Sequence, residues 1–147
     1  MKLTGESLST SFDAEAIAVH LDHIGIAVRS IDTAVEFYRM IGIEPGAREV
    51  ITDQGVEVQM LPAGEARLEL LQPIRDDSPI SSFLTKRGEG LHHIALKVKD
   101  LKSVLSRLKS RGIRLIDEEP RFGAGGQRIA FVHPRSTGGV LIELVED

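Results

Sequence analysis

The chain repeats itself once, at a constant spacing of 70 residues. The segment LDHIGIAVRSIDTAVEFYRMIGI (21–43) aligns without a gap on LHHIALKVKDLKSVLSRLKSRGI (91–113), so that His23 falls on His93. A repeat of this kind indicates two modules with the same local fold. Each module has about 55 residues, too few to form a large hydrophobic core on its own. We therefore expect the two modules to share one curved sheet.

The hydrophobic period changes within each repeat. The first eight residues alternate as in a strand, and the following apolar residues recur at i, i+3, i+4 and i+7, as in an amphipathic helix. Ser30 and Asp100 stand in N-cap positions, and Gly42 and Gly112 stand where the two helices should end. Each repeat is therefore predicted to be a strand followed by a helix.

Three more strand-like segments follow each predicted helix. They read AREVIT, VEVQML and ARLELLQ in the first module, and RLIDE, RIAFVH and VLIELVE in the second. Ser78 followed by Pro79 predicts the start of a short connecting helix, which Gly88 would end. The order is βαβββ twice, an α+β fold whose two modules form a curved, partly open, barrel-like mixed sheet.

These elements define the expected domain organisation. Residues 1–18 are predicted to be a polar N-terminal tail, and residues 19–147 a single domain. Within that domain, module one covers about 20–74, the connecting helix about 77–88, and module two about 90–147.

Composition narrows the class of protein. The net charge of −4 argues against a general nucleic-acid surface, and the absence of cysteine excludes disulfides, thiolate metal sites and a cysteine nucleophile. No apolar run approaches the roughly 20 residues of a membrane span, and the first residues lack the apolar centre of a signal peptide. We expect a cytoplasmic protein with no membrane or nucleic-acid partner.

Strand alternation separates the two adjacent histidines of GLHHIALKV. Alternate residues of a strand share a face. His23 shares its face with a glycine and an alanine, and His93 shares its face with an alanine, so both leave space for a ligand above the sheet. The branched residues on the other face should pack on the helices. His92 falls on that helix-packing face and is predicted to be a structural neighbour of the site.

Two glutamates complete a candidate metal site. Glu69 and Glu143 each lie within an apolar strand, where an ionised carboxylate is costly unless something compensates it. A single histidine or glutamate in a strand is more often an ordinary core or surface residue, but both pairs obey the repeat. If a local two-fold axis relates the modules, the four side chains converge. Two imidazoles and two carboxylates suit a divalent ion and would leave two octahedral positions open.

A glycine-rich loop is the candidate substrate-binding segment. FGAGGQR (122–128) has three glycines among four residues, which lets backbone N–H groups approach an anion. The alternative is an ordinary flexible hairpin connection. The substrate-binding candidates are Gly125, Gly126, Gln127, Ser136 and Thr137.

The paired βαβββ modules with this histidine and glutamate set resemble the vicinal oxygen chelate superfamily, which includes glyoxalase I, extradiol dioxygenases and fosfomycin-resistance proteins. Longer strings are similar to the methylmalonyl-CoA epimerase family: LDHIGIAV, DSPISSFLTKRGEGLHHIALKV, RLIDEEPRFGAGGQRIAFVHP and STGGVLIELVE. The similarity covers about 21–146. Glyoxalases resemble the second half less well, because they have an Asp-Pro-Asp-Gly type of turn where this chain has HPRSTGG.

The resemblance implies a cofactor, an activity and roles for individual residues. It implies epimerisation at C2 of methylmalonyl-CoA in propionate metabolism, through an enolate, by a homodimer with a divalent ion, with cobalt favoured and manganese, nickel or zinc possible. His23, His93 and Glu143 match the family's metal ligands, and Glu69 falls where some members have glutamine. Glu143 and Glu57 are the two implied catalytic bases; Glu57 lies five residues before a proline, as in some members.

Two other functions remain open at this stage. One is a glyoxalase I-like lyase that acts on a glutathione hemithioacetal with the same metal and enolate chemistry. The other is a metal-free small-molecule binding protein on the same fold. Members of that kind usually lack the four ligands, all of which are present here.

Overall fold

The computed structural model describes residues 19–147, and the predicted polar tail, 1–18, lies outside the described residues. The strands are β1 (His20–Ala27), β2 (Arg48–Ile51), β3 (Val56–Ala63), β4 (Ala66–Pro73), β5 (Gly90–Val98), β6 (Arg121–Phe122), β7 (Arg128–Val132) and β8 (Ile142–Glu146). The helices are α1 (Ile31–Met40), α2 (Pro79–Arg87) and α3 (Leu101–Ser110). Single 3-10 turns occur at Thr52–Gln54, Ala124–Gly126 and Pro134–Ser136.

All eight strands belong to one mixed sheet with the order β2-β3-β4-β1-β5-β8-β7-β6. The modules meet where β1 pairs with β5 in antiparallel fashion. In module one β1 lies parallel to β4, and in module two β5 lies parallel to β8. The two halves of the sheet thus follow the same plan, and the predicted α+β fold with paired βαβββ modules is confirmed.

The helix boundaries follow their predicted caps. The Ser30 side chain accepts a hydrogen bond from the Thr33 N–H group at the start of α1, and Asp100 accepts one from Ser103 at the start of α3. Ser78 caps α2, which begins at Pro79 as predicted. No helix within residues 19–147 is long and apolar enough to cross a membrane.

The predicted strand RLIDE (114–118) is wrong. Leu115 makes only a single bridge to β7, and the short β6 occupies the edge of the sheet instead. The reason is local: the N–H groups of Ile116 and Asp117 both donate to the Phe131 carbonyl, at 2.9 and 3.2 Å. The Phe131 N–H group donates to the Asp117 carboxylate at 2.8 Å. The Asp117 carboxylate therefore accepts the hydrogen bond that a backbone carbonyl of a paired strand would accept, and regular strand pairing with β7 ends at this point.

The helices cover the two faces of the sheet unequally. Helices α1 and α3 pack on the outer face, in separate apolar clusters centred on Ile31 and Leu101. Helix α2 packs on the inner face, where its Ile80 and Leu84 contact Ala27 of β1. The rest of the inner face is left for a cavity.

Candidate active site

A cavity of about 240 Å³ lies against the inner face of the sheet. Both modules line it. Its polar lining includes His23, Glu69, His93 and Glu143, and its apolar lining includes Val56, Val58, Leu71, Ile129 and Phe131. The four predicted metal ligands thus reach one cavity, and each of them is buried.

Three of these side chains converge closely. The Nε2 atoms of His23 and His93 lie 3.0 Å apart. Glu143 places Oε1 3.3 Å from Nε2 of His93, and Oε2 3.6 Å from Nε2 of His23. The register brings this about, because His93 of β5 lies opposite Gly25 of β1, and its ring occupies the space where a side chain at position 25 would be.

The convergent atoms fit a divalent ion. Nitrogen and oxygen ligands about 2.1 Å from a common ion lie roughly 3.0–3.4 Å apart when they subtend 90–109°. The observed separations of 3.0, 3.3 and 3.6 Å fall near this range. Two imidazoles and a carboxylate are also a ligand set that cobalt, nickel, manganese and zinc accept.

Glu69 lies on the other side of the His23 ring. Its Oε2 atom is 3.3 Å from Nδ1 of His23, away from the Nε2 atoms that face Glu143. The Arg67 guanidinium holds that oxygen at 2.9 Å, from two residues earlier on the same strand. The structure therefore brings three of the four predicted ligands together, and Glu69 would have to turn away from Arg67 to join them.

Asp22 orients His23, a role that the sequence analysis missed. The Oδ2 atom of Asp22 lies 2.7 Å from Nδ1 of His23, and Arg67 and Lys97 lie 3.1 and 3.4 Å from the same carboxylate. Burial alone would raise the pKa of Asp22, but the His23 hydrogen bond and the Arg67 charge lower it to about 2. The ionised carboxylate favours a proton on Nδ1, which leaves Nε2 of His23 free to bind a metal.

The ionisation of His23 and Glu143 is strongly coupled. Burial lowers the pKa of His23, but the hydrogen bond to Asp22 and the charges of Glu69 and Glu143 raise it overall. Burial raises the pKa of Glu143 to about 7, and the nearby Glu69 and Asp22 add to this although His23 opposes it. In the metal-free protein this carboxyl group can both take up and release a proton near neutral pH, and a bound cation would favour its ionised form.

His92 is a structural neighbour of the site, as predicted, but its predicted orientation toward the outer helix layer is wrong. His92 lines the cavity, its Nδ1 lies 2.9 Å from Nδ1 of His93, and its ring packs edge-on against Phe83 of α2. The cause is a β-bulge: β1 residues 25 and 26 pair with residues 93 and 91, so His92 has no partner and its ring leaves the regular alternation. Burial, aided by Arg87, lowers the pKa of His92 to about 4.

Glu57, the predicted second base, does not face the cavity. Its neighbours Val56 and Val58 line the cavity, whereas the Glu57 carboxylate lies 2.7 Å from Nε of Arg48 on the outer side of β3. Glu57 lies on β3, the third strand, but its spacing to Pro62 does not determine the face of the strand to which its side chain points. The structure does not support the predicted catalytic position of Glu57.

The glycine-rich loop lies at the mouth of the cavity. Ala124 and Gln127 line it, and Gly125 and Gly126 adopt positive φ values of 71 and 72°. The Gly125 N–H group donates to the Oε2 atom of Glu49 at 2.9 Å. The Gly125 N–H group therefore binds a carboxylate of the protein's own chain, and the predicted contact of this loop with substrate stays a prediction.

Ser136 and Thr137 do not reach the cavity. They lie on the 3-10 turn after β7 and at its end. The Ser136 hydroxyl accepts a hydrogen bond from the Arg114 N–H group at 2.9 Å, and the Thr137 hydroxyl donates to the Pro134 carbonyl at 3.3 Å. Both side chains therefore stabilise local backbone, and the structure does not support their predicted contact with substrate.

Comparison with known proteins defines the class to which this fold and site belong. Residues 22–131 match the Glyoxalase/Bleomycin resistance protein/Dioxygenase superfamily, and the chain belongs to that superfamily.

Within the superfamily, the chain is similar to methylmalonyl-CoA epimerases. It is 39% identical over 127 residues to the ethylmalonyl-CoA/methylmalonyl-CoA epimerase of Cereibacter sphaeroides, with 84% of this chain and 95% of that protein covered. It superimposes on the methylmalonyl-CoA epimerase of Mycobacterium tuberculosis with a TM-score of 0.81 and 43% identity, covering 86% of each chain. A methylmalonyl-CoA epimerase solved in complex with methylmalonyl-CoA and NH4+ gives a TM-score of 0.84 and 42% identity, covering 88% of this chain and 94% of that one.

Proposed function

We propose that this protein interconverts the two C2 epimers of methylmalonyl-CoA with the help of a divalent metal ion. The observation that carries the proposal is the buried cluster of His23, His93 and Glu143 in a cavity shared by both modules. The proposal is supported by the similarity to methylmalonyl-CoA epimerases over 86–88% of the chain, including one solved with methylmalonyl-CoA.

His23, His93 and Glu143 are the residues that would hold the metal, and Glu69 is the fourth ligand if it turns away from Arg67. A divalent ion held by these residues would supply the positive charge that stabilises an enolate while it forms at the thioester. We propose cobalt, by the family resemblance, with manganese, nickel and zinc as alternatives. By the same resemblance we propose that the protein forms a homodimer.

The chain's own residues orient the ligands and move the proton. Asp22 fixes the His23 ring through Nδ1, and His92 contacts the corresponding nitrogen of His93. Glu143 is the group that we assign to proton transfer at C2, because its carboxylate lies in the cavity beside the nitrogen atoms of both histidines. Burial raises its pKa to about 7 in the metal-free protein, and a bound cation would lower that pKa. The apolar wall formed by residues such as Val56 and Phe131 excludes water, which strengthens electrostatic interactions in the site.

Deuterium exchange tests the proposal directly. The purified protein, loaded with cobalt, is incubated with one epimer of methylmalonyl-CoA in deuterated water. We expect deuterium at C2 and accumulation of the other epimer. Chelation should abolish both, and cobalt should restore both. A His93→Ala variant provides the control, because it lacks one ligand of the cluster.

Other results would identify a different function. Turnover of a glutathione hemithioacetal, without exchange of methylmalonyl-CoA, would support the glyoxalase I-like alternative. Absence of bound divalent metal after purification, with no activity gained on addition of cobalt, would support a metal-free binding protein.

A further inference from the structure

The two modules meet a second time at the mouth of the cavity. Strand β2 forms one edge of the sheet, and the turn Ala124–Gly126 follows β6 at the other edge. This turn contacts β2, although β2 and β6 are the first and last strands in the order of the sheet. Ile51 of β2 and Ala124 of the turn both line the cavity. The contact therefore closes the open side of the curved sheet beside the site.

Glu49 joins the two edges by a hydrogen bond. It pairs with Val58 across β2 and β3, and cross-strand partners project from the same face of a sheet. Because Val58 lines the cavity, the half-buried Glu49 side chain also lies on the inner face. Its Oε2 atom accepts a hydrogen bond from the Gly125 N–H group at 2.9 Å.

The conformation of the turn directs that N–H group toward Glu49. Internal hydrogen bonds close the turn, from Gly126 to the Gly123 carbonyl at 3.1 Å and from Gly123 to the Gln127 carbonyl at 2.9 Å. The N–H group of Gly125 is used in neither bond and points to β2. Because Gly125 has a φ of 71°, which most residues avoid, the local sequence itself favours this arrangement.

We propose that Glu49 is a positioning residue for substrate binding. It holds the Ala124–Gly126 turn against β2, fixes Ala124 and Gln127 in the wall of the cavity, and so sets the opening through which the acyl-CoA ester enters. The choice of ester rests on the function proposed above. The Gly125 N–H group is then an internal tether rather than the binding site for the substrate carboxylate.

Substitution of Glu49 tests this role through the split between KM and kcat. The loss of a hydrogen bond to a charged group changes an equilibrium constant by about tenfold. We expect Glu49→Ala to raise KM for methylmalonyl-CoA by about tenfold and to change kcat by less than about twofold. Glu49→Gln retains an acceptor oxygen, so its KM should stay near that of the wild type. Glu36→Ala, which removes an exposed glutamate of α1, is the matched control.

Amide hydrogen exchange provides a readout that does not depend on activity. We expect the segment 122–127 to exchange faster in Glu49→Ala than in the wild type or Glu36→Ala, and to be protected again in Glu49→Gln. If the wild type did not epimerise methylmalonyl-CoA, the proposed function would fail, while the exchange data would still test the tether.

Two results would overturn the inference. Unchanged KM and unchanged exchange in Glu49→Ala would show that the contact does not position the turn. Equal loss of kcat in Glu49→Ala and Glu49→Gln, at constant KM, would show instead that the carboxylate takes part in the chemistry.

Discussion

Gly25→Ala should disable the proposed metal site by displacing the His93 ring. A Cβ atom built at position 25 lies 2.2 Å from Cε1, 2.4 Å from Nδ1 and 2.8 Å from Nε2 of His93, whereas ordinary contacts begin at 3.4 Å. The ring must therefore retreat by about 1.2 Å, several times the roughly 0.2 Å tolerance of a metal–ligand distance. The backbone at Gly25 is not in the left-handed region, so the clash alone causes the effect.

We expect Gly25→Ala to weaken cobalt binding by about 10–100-fold. We also expect it to lower the free energy of unfolding of the metal-free protein by about 1–3 kcal/mol. Isothermal titration calorimetry measures the first quantity and urea denaturation the second. Gly46→Ala is the matched control, since its added Cβ would meet other atoms only at 3.5 Å or more. Cobalt affinity in Gly25→Ala within twofold of the wild type would refute the placement of His93.

Two more substitutions test the residues around the ligands. The pKa of Asp22 is lowered from 3.8 to about 2, so its contribution to stability is present above pH 4 and is lost as the pH falls toward 2. Urea denaturation should show this loss in the metal-free wild type but not in Asp22→Asn, and an identical pH dependence of the two would contradict the ion pairs of Asp22. Glu57→Gln should keep kcat/KM within about twofold, because its carboxylate binds Arg48 outside the cavity and such exposed pairs contribute less than about 1 kcal/mol. A tenfold loss in the epimerisation assay, with C2–H exchange lost for one epimer, would restore Glu57 as a base.

The elements and the convergence of the two central histidines could be predicted because they depend on local pattern and on the repeat. Strand period, helix period and caps are properties of a few neighbouring residues. The repeat adds one long-range fact, that positions 23 and 93 are equivalent. With the antiparallel pairing of β1 and β5, this equivalence brings the two Nε2 atoms to 3.0 Å from each other.

The residues that were misplaced depend on departures from regular strands. Strict alternation puts His92 on the helix side, but the bulge in β5 turns its ring into the cavity. A second register shift lies between residues 21 and 23 of β1, where Asp22 turns toward His23. The shift between residues 21 and 23 has no glycine or proline that would mark it in the sequence, and the shift beside His92 lies opposite Gly25, whose small size the sequence analysis interpreted only as space for a ligand. Glu49 was missed because its partner lies 76 residues away, on a turn whose position only the folded sheet defines.

The repeat also explains why the two glutamates differ in chemistry although they occupy equivalent strands. Arg67 stands two residues before Glu69, and Leu141 stands two residues before Glu143. Glu69 consequently has a guanidinium within 2.9 Å, whereas burial raises the pKa of Glu143 to about 7. Paired carboxyl groups in different surroundings can take different roles. The difference between Arg67 and Leu141 thus contributes to the asymmetry of the site. Arg67 holds the Glu69 carboxylate, whereas the Glu143 carboxylate faces both histidine rings, and for this reason we propose Glu143 and not its counterpart for proton transfer.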